Sequence, residues 1–129
     1  MGRSRGRNSI MTKQERKIIK RICKEVRKKL LKEYNQYLKY SIDAGVFAKN
    51  SLAGWCDQSS IALQKALLKH NIDTKMIQGE VKNGGLHYWL EYKHNIIDLT
   101  ACQFNRYKLP LILIRPISKL KYFIGESMV

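Results

Sequence analysis

Cys56, His87 and Asp98 have the residue types and the spacing of nucleophilic chemistry. A cysteine attacks as its thiolate, and the orphan amides and dipole of a helix N-terminus favour that charge. Cys56 opens the stretch CDQSSIALQKALLKH, whose pattern predicts a helix from Cys56 to His70. Gly54, two residues earlier, lets a substrate backbone approach closely. The backbone amide of Cys56 would then face the oxyanion formed by attack at its own sulfur. Asp57 would oppose the thiolate unless it faces away.

A thiol needs a general base within reach and a third group to hold that base. GLHYWLEYKHNIIDLTA reads as two strands joined by a two-residue turn at Lys93 and His94. With such a turn Tyr92 pairs with Asn95, and Asp98 falls opposite Trp89. Because side chains alternate, His87 shares that face and Asp98 is one diagonal step away. A three-residue loop would send Asp98 to the other face. Asp98 also lies among Ile96, Ile97 and Leu99, where an unpaired carboxylate is costly. Trp55 precedes Cys56 and Trp89 lies on the His87 strand, and both are candidates for the walls of a substrate groove. Of Trp89 and Tyr88, one is expected to pack in the core.

The elements that must position these residues follow from periodicity. Thr12 and Glu15 have capping-box spacing. A long basic helix is expected over 12–40, with Ile18, Ile19, Ile22, Val26, Leu30, Leu31, Tyr34 and Leu38 on one face. Cys23 lies near that stripe and reads as a small core or boundary hydrophobe. Residues 41–54 read as a loop. On the second helix Ile61, Ala62, Ala66 and Leu67 make the expected apolar face, flanked by Leu63 and Leu68, and Asn71 suits a left-handed cap. From Thr74 the period becomes two, giving TKMIQGEV, LHYWLEY and NIIDLTA, then LPLILI and KLKYFI. The expected class is α+β, N-terminal helices packed on an antiparallel sheet, with 1–10 a mobile basic start and 11–129 one domain.

The formal charge is +15, carried unevenly. Residues 1–40 hold fourteen Lys/Arg against three Asp/Glu, and residues 41–129 hold eleven against seven. That asymmetry favours nucleic acid or an acidic protein as partner of residues 1–40. No run approaches the roughly 18 apolar residues of a membrane span. Three cysteines argue for a reducing compartment over a disulfide framework. The start MGRSRGRNSI has no following apolar segment, so a cytoplasmic location is expected. Delivery by a dedicated secretion machine or by lysis stays compatible with that reading. Cys56, His87, His94 and Cys102 are zinc-ligand types without a C-x-x-C or H-x-x-x-H pair, so no metal and no cofactor is expected. His70 and His94 read as exposed bystanders, and Cys102 as a packing residue.

Gly54-Trp55-Cys56, then Ser60, Leu63, Leu67 and Asn71-Ile72, resemble the papain-like and transglutaminase-like thiol-enzyme superfamily. Gly79, His87-Tyr88-Trp89-Leu90-Glu91 and Asp98-Leu99-Thr100-Ala101-Cys102-Gln103-Phe104 extend the likeness to small bacterial and phage members. It covers residues 50–104 and implies a transglutaminase-like domain with Cys56 as nucleophile, His87 as base and Asp98 as orienter. It also places Asn50, six residues before Cys56, like the side-chain oxyanion donor, where Gln is usual.

Two functions are thus expected from the sequence. One is cysteine-dependent acyl transfer on a protein or peptide substrate, as a thiol peptidase or glutamine deamidase. The alternative is a non-catalytic binding module whose basic helix contacts nucleic acid or an acidic protein.

Overall fold

The first helix, α1 (Lys13–Tyr40), begins where Thr12 and Glu15 satisfy each other's backbone amides, both at 3.0 Å. The structure is a computed structural model that describes residues 10–40, 52, 54–82, 84–104 and 107–127. The expected mobile start therefore lies outside the described residues except for Ile10, as does most of the expected loop at 41–54.

The apolar stripe of α1 is buried as its spacing requires. Ile19, Ile22, Cys23, Leu30, Tyr34 and Leu38 enter one core with Leu63 and Leu67 of the second helix, α2 (Cys56–Leu68). The helix face of α2 is rotated from the expected one. Ser59, Ser60, Leu63 and Leu67 are buried, whereas Ile61 and Leu68 are exposed. The Ser60 hydroxyl explains the rotation, because it donates to the Tyr88 carbonyl at 3.3 Å and turns that side to the sheet. Asn71 takes φ 61°, and the Ile72 amide donates back to Leu67, ending the helix with a left-handed cap.

Five antiparallel strands follow: β1 (Lys75–Val81), β2 (Gly85–Tyr92), β3 (Asn95–Asp98), β4 (Leu113–Pro116) and β5 (Phe123–Ser127). The order across the sheet is β4-β3-β2-β1-β5, so the last strand crosses back to pair with the first. Leu90, Ile97 and Ile114 face the helices. Ile77, Trp89, Ile96, Leu113 and Phe123 face a second core covered by the segments between β3 and β5, including Ala101, Leu109 and Leu120. The class is α+β, and among the described residues no helix is long and apolar enough to cross a membrane.

Two strands sit later than their sequence runs suggest. Pro110 lacks an N–H, so Leu109–Ile114 cannot be one ladder strand, and pairing starts at Leu113. Leu120 closes a one-turn helix instead of continuing a strand, and β5 starts at Phe123. The pairing of β1 with β5 depends on Gly79, where an added Cβ would lie 2.1 Å from the Ile124 oxygen.

Glu15 also ties α1 to the sheet. Its carboxylate accepts from the Tyr92 hydroxyl and from Lys93 Nζ at 2.9 Å. Burial raises its pKa, but the Thr12 amide, Tyr92 and Lys93 outweigh that and lower it to about 2. Glu15→Ala removes a cap and two cross-element bonds together. It is expected to destabilise the fold by about 2–3 kcal/mol in urea titrations at pH 7. A change below about 0.5 kcal/mol would show that the hub is dispensable.

Candidate active site

The β2–β3 hairpin turns at Lys93 and His94, both at positive φ, and pairs Tyr92 with Asn95, Glu91 with Ile96 and Leu90 with Ile97. Extended by one step, that register sets Asp98 beside Trp89 and on the face of His87. The two side chains meet there, His87 Nε2 lying 2.6 Å from Asp98 Oδ2, and both are closed to solvent. Nε2–H donates to the carboxylate. Asp98 Oδ1 accepts from the Thr100 amide at 2.8 Å and the Thr100 hydroxyl at 3.0 Å. One oxygen thus orients the imidazole and the other is anchored to the backbone, which makes a buried carboxylate tolerable.

Aromatic rings fix the imidazole in place. Phe104 meets it edge-on at 4.8 Å, Trp89 stacks at 5.8 Å, and Phe123 closes the third side at 6.2 Å. Trp89 is 2% exposed and faces the second core. It is therefore not a groove wall, which corrects the sequence expectation; it packs against the histidine, and Tyr88 is the residue that points outward.

Cys56 arrives from the helical layer. Gly54 takes φ 85° in the turn closed by the Trp55 amide on the Leu52 carbonyl, and α2 starts at the next residue. Trp55 is half-buried, edge-on to Tyr34 at 5.1 Å and tilted to Tyr37 at 5.7 Å. Its ring pins the start of α2 onto α1. No side chain caps that end, and the exposed Asp57 carboxylate is occupied by the Gln58 amide at 2.9 Å. The Cys56 sulfur is close enough to the His87 ring to raise its pKa. Nδ1, the ring nitrogen not held by Asp98, is buried with no aligned hydrogen bond among the described residues.

His87 is pulled in two directions. Burial disfavours its charged form, but the Asp98 carboxylate and then Cys56 outweigh burial and raise the pKa to about 9. The carboxylate on one side and the sulfur on the other thus both favour a proton on the ring.

The other thiols differ in kind. Cys23 is fully buried, which pushes its pKa up to about 12. Cys102 is half-buried, and burial raises its pKa despite the Arg27 guanidinium beside it. His70 and His94 are exposed. Asn50 lies outside the described residues. Among the described residues no three His, Cys, Asp or Glu side chains cluster as metal ligands.

Three residues of the site carry no role in the sequence reading: Thr100, Phe104 and Arg27. The first two lie within D-x-T-A-x-Q-F, so the motif located them without showing that one anchors the carboxylate and the other covers the ring. Arg27, almost fully buried, has no local signal within a helix full of cations. No protein-family model, curated protein or solved structure matches the chain.

The raised His87 pKa sets the sign of a pH dependence. Its stabilising contribution is complete below pH 6.5 and is lost as pH rises through about 9. The thermal midpoint is expected to fall across that window by about 4 °C per kcal/mol lost. In the Cys56→Ala/Asp98→Asn double variant burial alone acts on the ring, and the slope reverses. A pH-independent midpoint in the unmodified protein would contradict the assigned pair.

Proposed function

We propose that this chain is a cysteine-dependent acyl-transfer enzyme on a papain-like or transglutaminase-like core, a hydrolase acting as a thiol peptidase or glutamine deamidase. The observation that carries this reading is a buried imidazole with Asp98 on Nε2 and the Cys56 thiol acting on the same ring.

In the proposed cycle Cys56 Sγ transfers its proton to His87, and Nδ1 is the nitrogen free to take it. The thiolate attacks the carbonyl carbon of an amide, and the carbonyl oxygen becomes an oxyanion facing the Cys56 amide. Asn50 is the second oxyanion donor that the family resemblance suggests. The C–N bond then breaks as Nδ1–H protonates the leaving amine, which leaves a thioester on sulfur. Water gives a proton to His87 and attacks the thioester, and His87 returns the proton to sulfur as the acid departs. Ammonia as leaving group is deamidation, a peptide amine is proteolysis, and an incoming amine in place of water would crosslink. Asp98 and Thr100 act before any of these steps, by fixing which nitrogen faces sulfur.

Two measurements test the reading. Iodoacetamide is expected to label Cys56 at least about tenfold faster than Cys102, with Cys23 slowest, because thiols of raised pKa are poor nucleophiles. Equal rates at all three would count decisively against a reactive Cys56. Lysate treated with the unmodified protein, but not with Cys56→Ala, is expected to contain cleaved or deamidated proteins by mass spectrometry.

A second reading rests on the outer face of α1, where Lys13, Lys17, Lys20, Arg21, Lys24, Lys28, Lys29 and Lys32 are exposed. That row would dock a polyanion, either nucleic acid or an acidic protein, whether or not the site is catalytic. Deleting residues 1–40 cannot test it, since α1 supplies much of the core. Replacing Lys17, Lys20, Lys24 and Lys28 with Gln is expected to abolish salt-sensitive binding to duplex DNA or RNA while Cys56→Ala leaves it intact. Binding that ignores salt between about 0.05 and 0.2 M would refute it.

A further inference from the structure

The sheet surface next to the start of α2 is of opposite character to α1. On the helical face of the sheet a depression of about 240 Å³ is lined by Asp57, Ile61, Met76 and Tyr88. A second, of about 390 Å³, is lined by Gln78, Gly79, Glu80, Leu86 and Ile124. They adjoin where the Gln78 amide donates to the Tyr88 hydroxyl at 3.3 Å. Three large apolar side chains stand exposed along this run: Ile61 at 46%, Leu86 at 64% and Ile124 at 58%. Exposed apolar side chains in a row, unlike scattered ones, mark a surface that binds something.

The rim is acidic within a chain of net charge +15. Asp57 stands at one end, directly after Cys56. Glu80 lines the other end, and Glu126 pairs with Gln78 across the β1–β5 ladder on the same face. Lys65 is exposed on the same face of α2, one turn beyond Ile61 and two beyond Asp57.

Resting on the acyl-transfer reading above, we propose that this groove binds an extended basic peptide segment of the substrate. A Lys or Arg side chain lies along Ile61, Met76 and Tyr88, with its cation on Asp57. Physical complementarity selects that occupant. A purely apolar side chain would desolvate Asp57 without pairing it, and an acidic one would meet like charge. Lys and Arg bury a hydrocarbon stem and keep a charged tip wet, which is the profile of an apolar floor under an acidic lip. Asp57, the residue after Cys56, connects this groove to the start of α2.

The test uses full-length Cys56→Ala and a capped, fluorescent hexapeptide with Lys, Leu or Glu at one position. Salt is kept at about 0.15 M, so that the field of α1 is screened beyond about 8 Å. The Lys peptide is expected to bind about fivefold tighter than the Leu peptide, and the Glu peptide weakest. Asp57→Lys, in the same background and checked for an unchanged thermal midpoint, is expected to invert the order. A Glu preference in the parent, or an order unmoved by Asp57→Lys, overturns the proposal. In parallel, the protein with Cys56 intact is treated with peptidyl acyloxymethyl ketones bearing the same three side chains. Cys56 labelling with no side-chain preference overturns the groove alone. A Lys preference in binding without Cys56 labelling overturns the triad and leaves the groove a peptide site.

Discussion

A 2.6 Å hydrogen bond between an imidazole and a carboxylate, both sealed from water, is the contact that the rest of the molecule has to support. Taking such groups out of water costs several kcal/mol apiece before their attraction is counted. The pair persists because the carboxylate is satisfied on both oxygens and the ring is enclosed. Thr100 satisfies the distal carboxylate oxygen, three aromatic rings exclude solvent, and the back-face segments close over them. None of these contacts stabilises the fold as economically as a hydrophobic pair would. Their arrangement makes sense if one ring nitrogen has to face a thiol in a fixed orientation.

Much of this was legible in the residues. A two-residue turn at Lys93-His94 determines which face Asp98 occupies, and the observed register is the one that turn dictates. The Thr12–Glu15 cap, the α1 stripe and the Asn71 stop also follow from local spacing. What failed to show was anything decided by rotation or by distant contact. The pattern of α2 is apolar nearly all round, so spacing could not choose between Ile61 and Leu63, and a serine hydroxyl decided it. Trp89 looks alike in sequence whether it walls a groove or backs a histidine. Arg27 reaches Cys102 across some seventy-five residues of chain, which no local rule can anticipate.

The distribution of charge gives the molecule two unlike sides. Lysines crowd the outer face of α1 because its inner face is spent on the core. The few acidic residues on the helical side of the sheet, Asp57 and Glu80, line its depressions. A field of this shape orients a molecule at the membrane-water, protein or nucleic-acid surfaces it meets, even where it contributes little to affinity.

The core that receives α1 is built from Leu90, Ile97, Leu99 and Ile114, residues that leave the ribosome well after the helix does. At about 5–20 residues per second, an amphipathic cationic rod stays without its docking surface for several seconds of synthesis. Throughout that interval its Ile and Leu side chains face water or a chaperone. The cysteine and histidine are likewise kept apart until β2 and β3 have paired, so a half-made chain has a thiol but no base. The pairing of thiol and imidazole is thus among the last features of the fold to form.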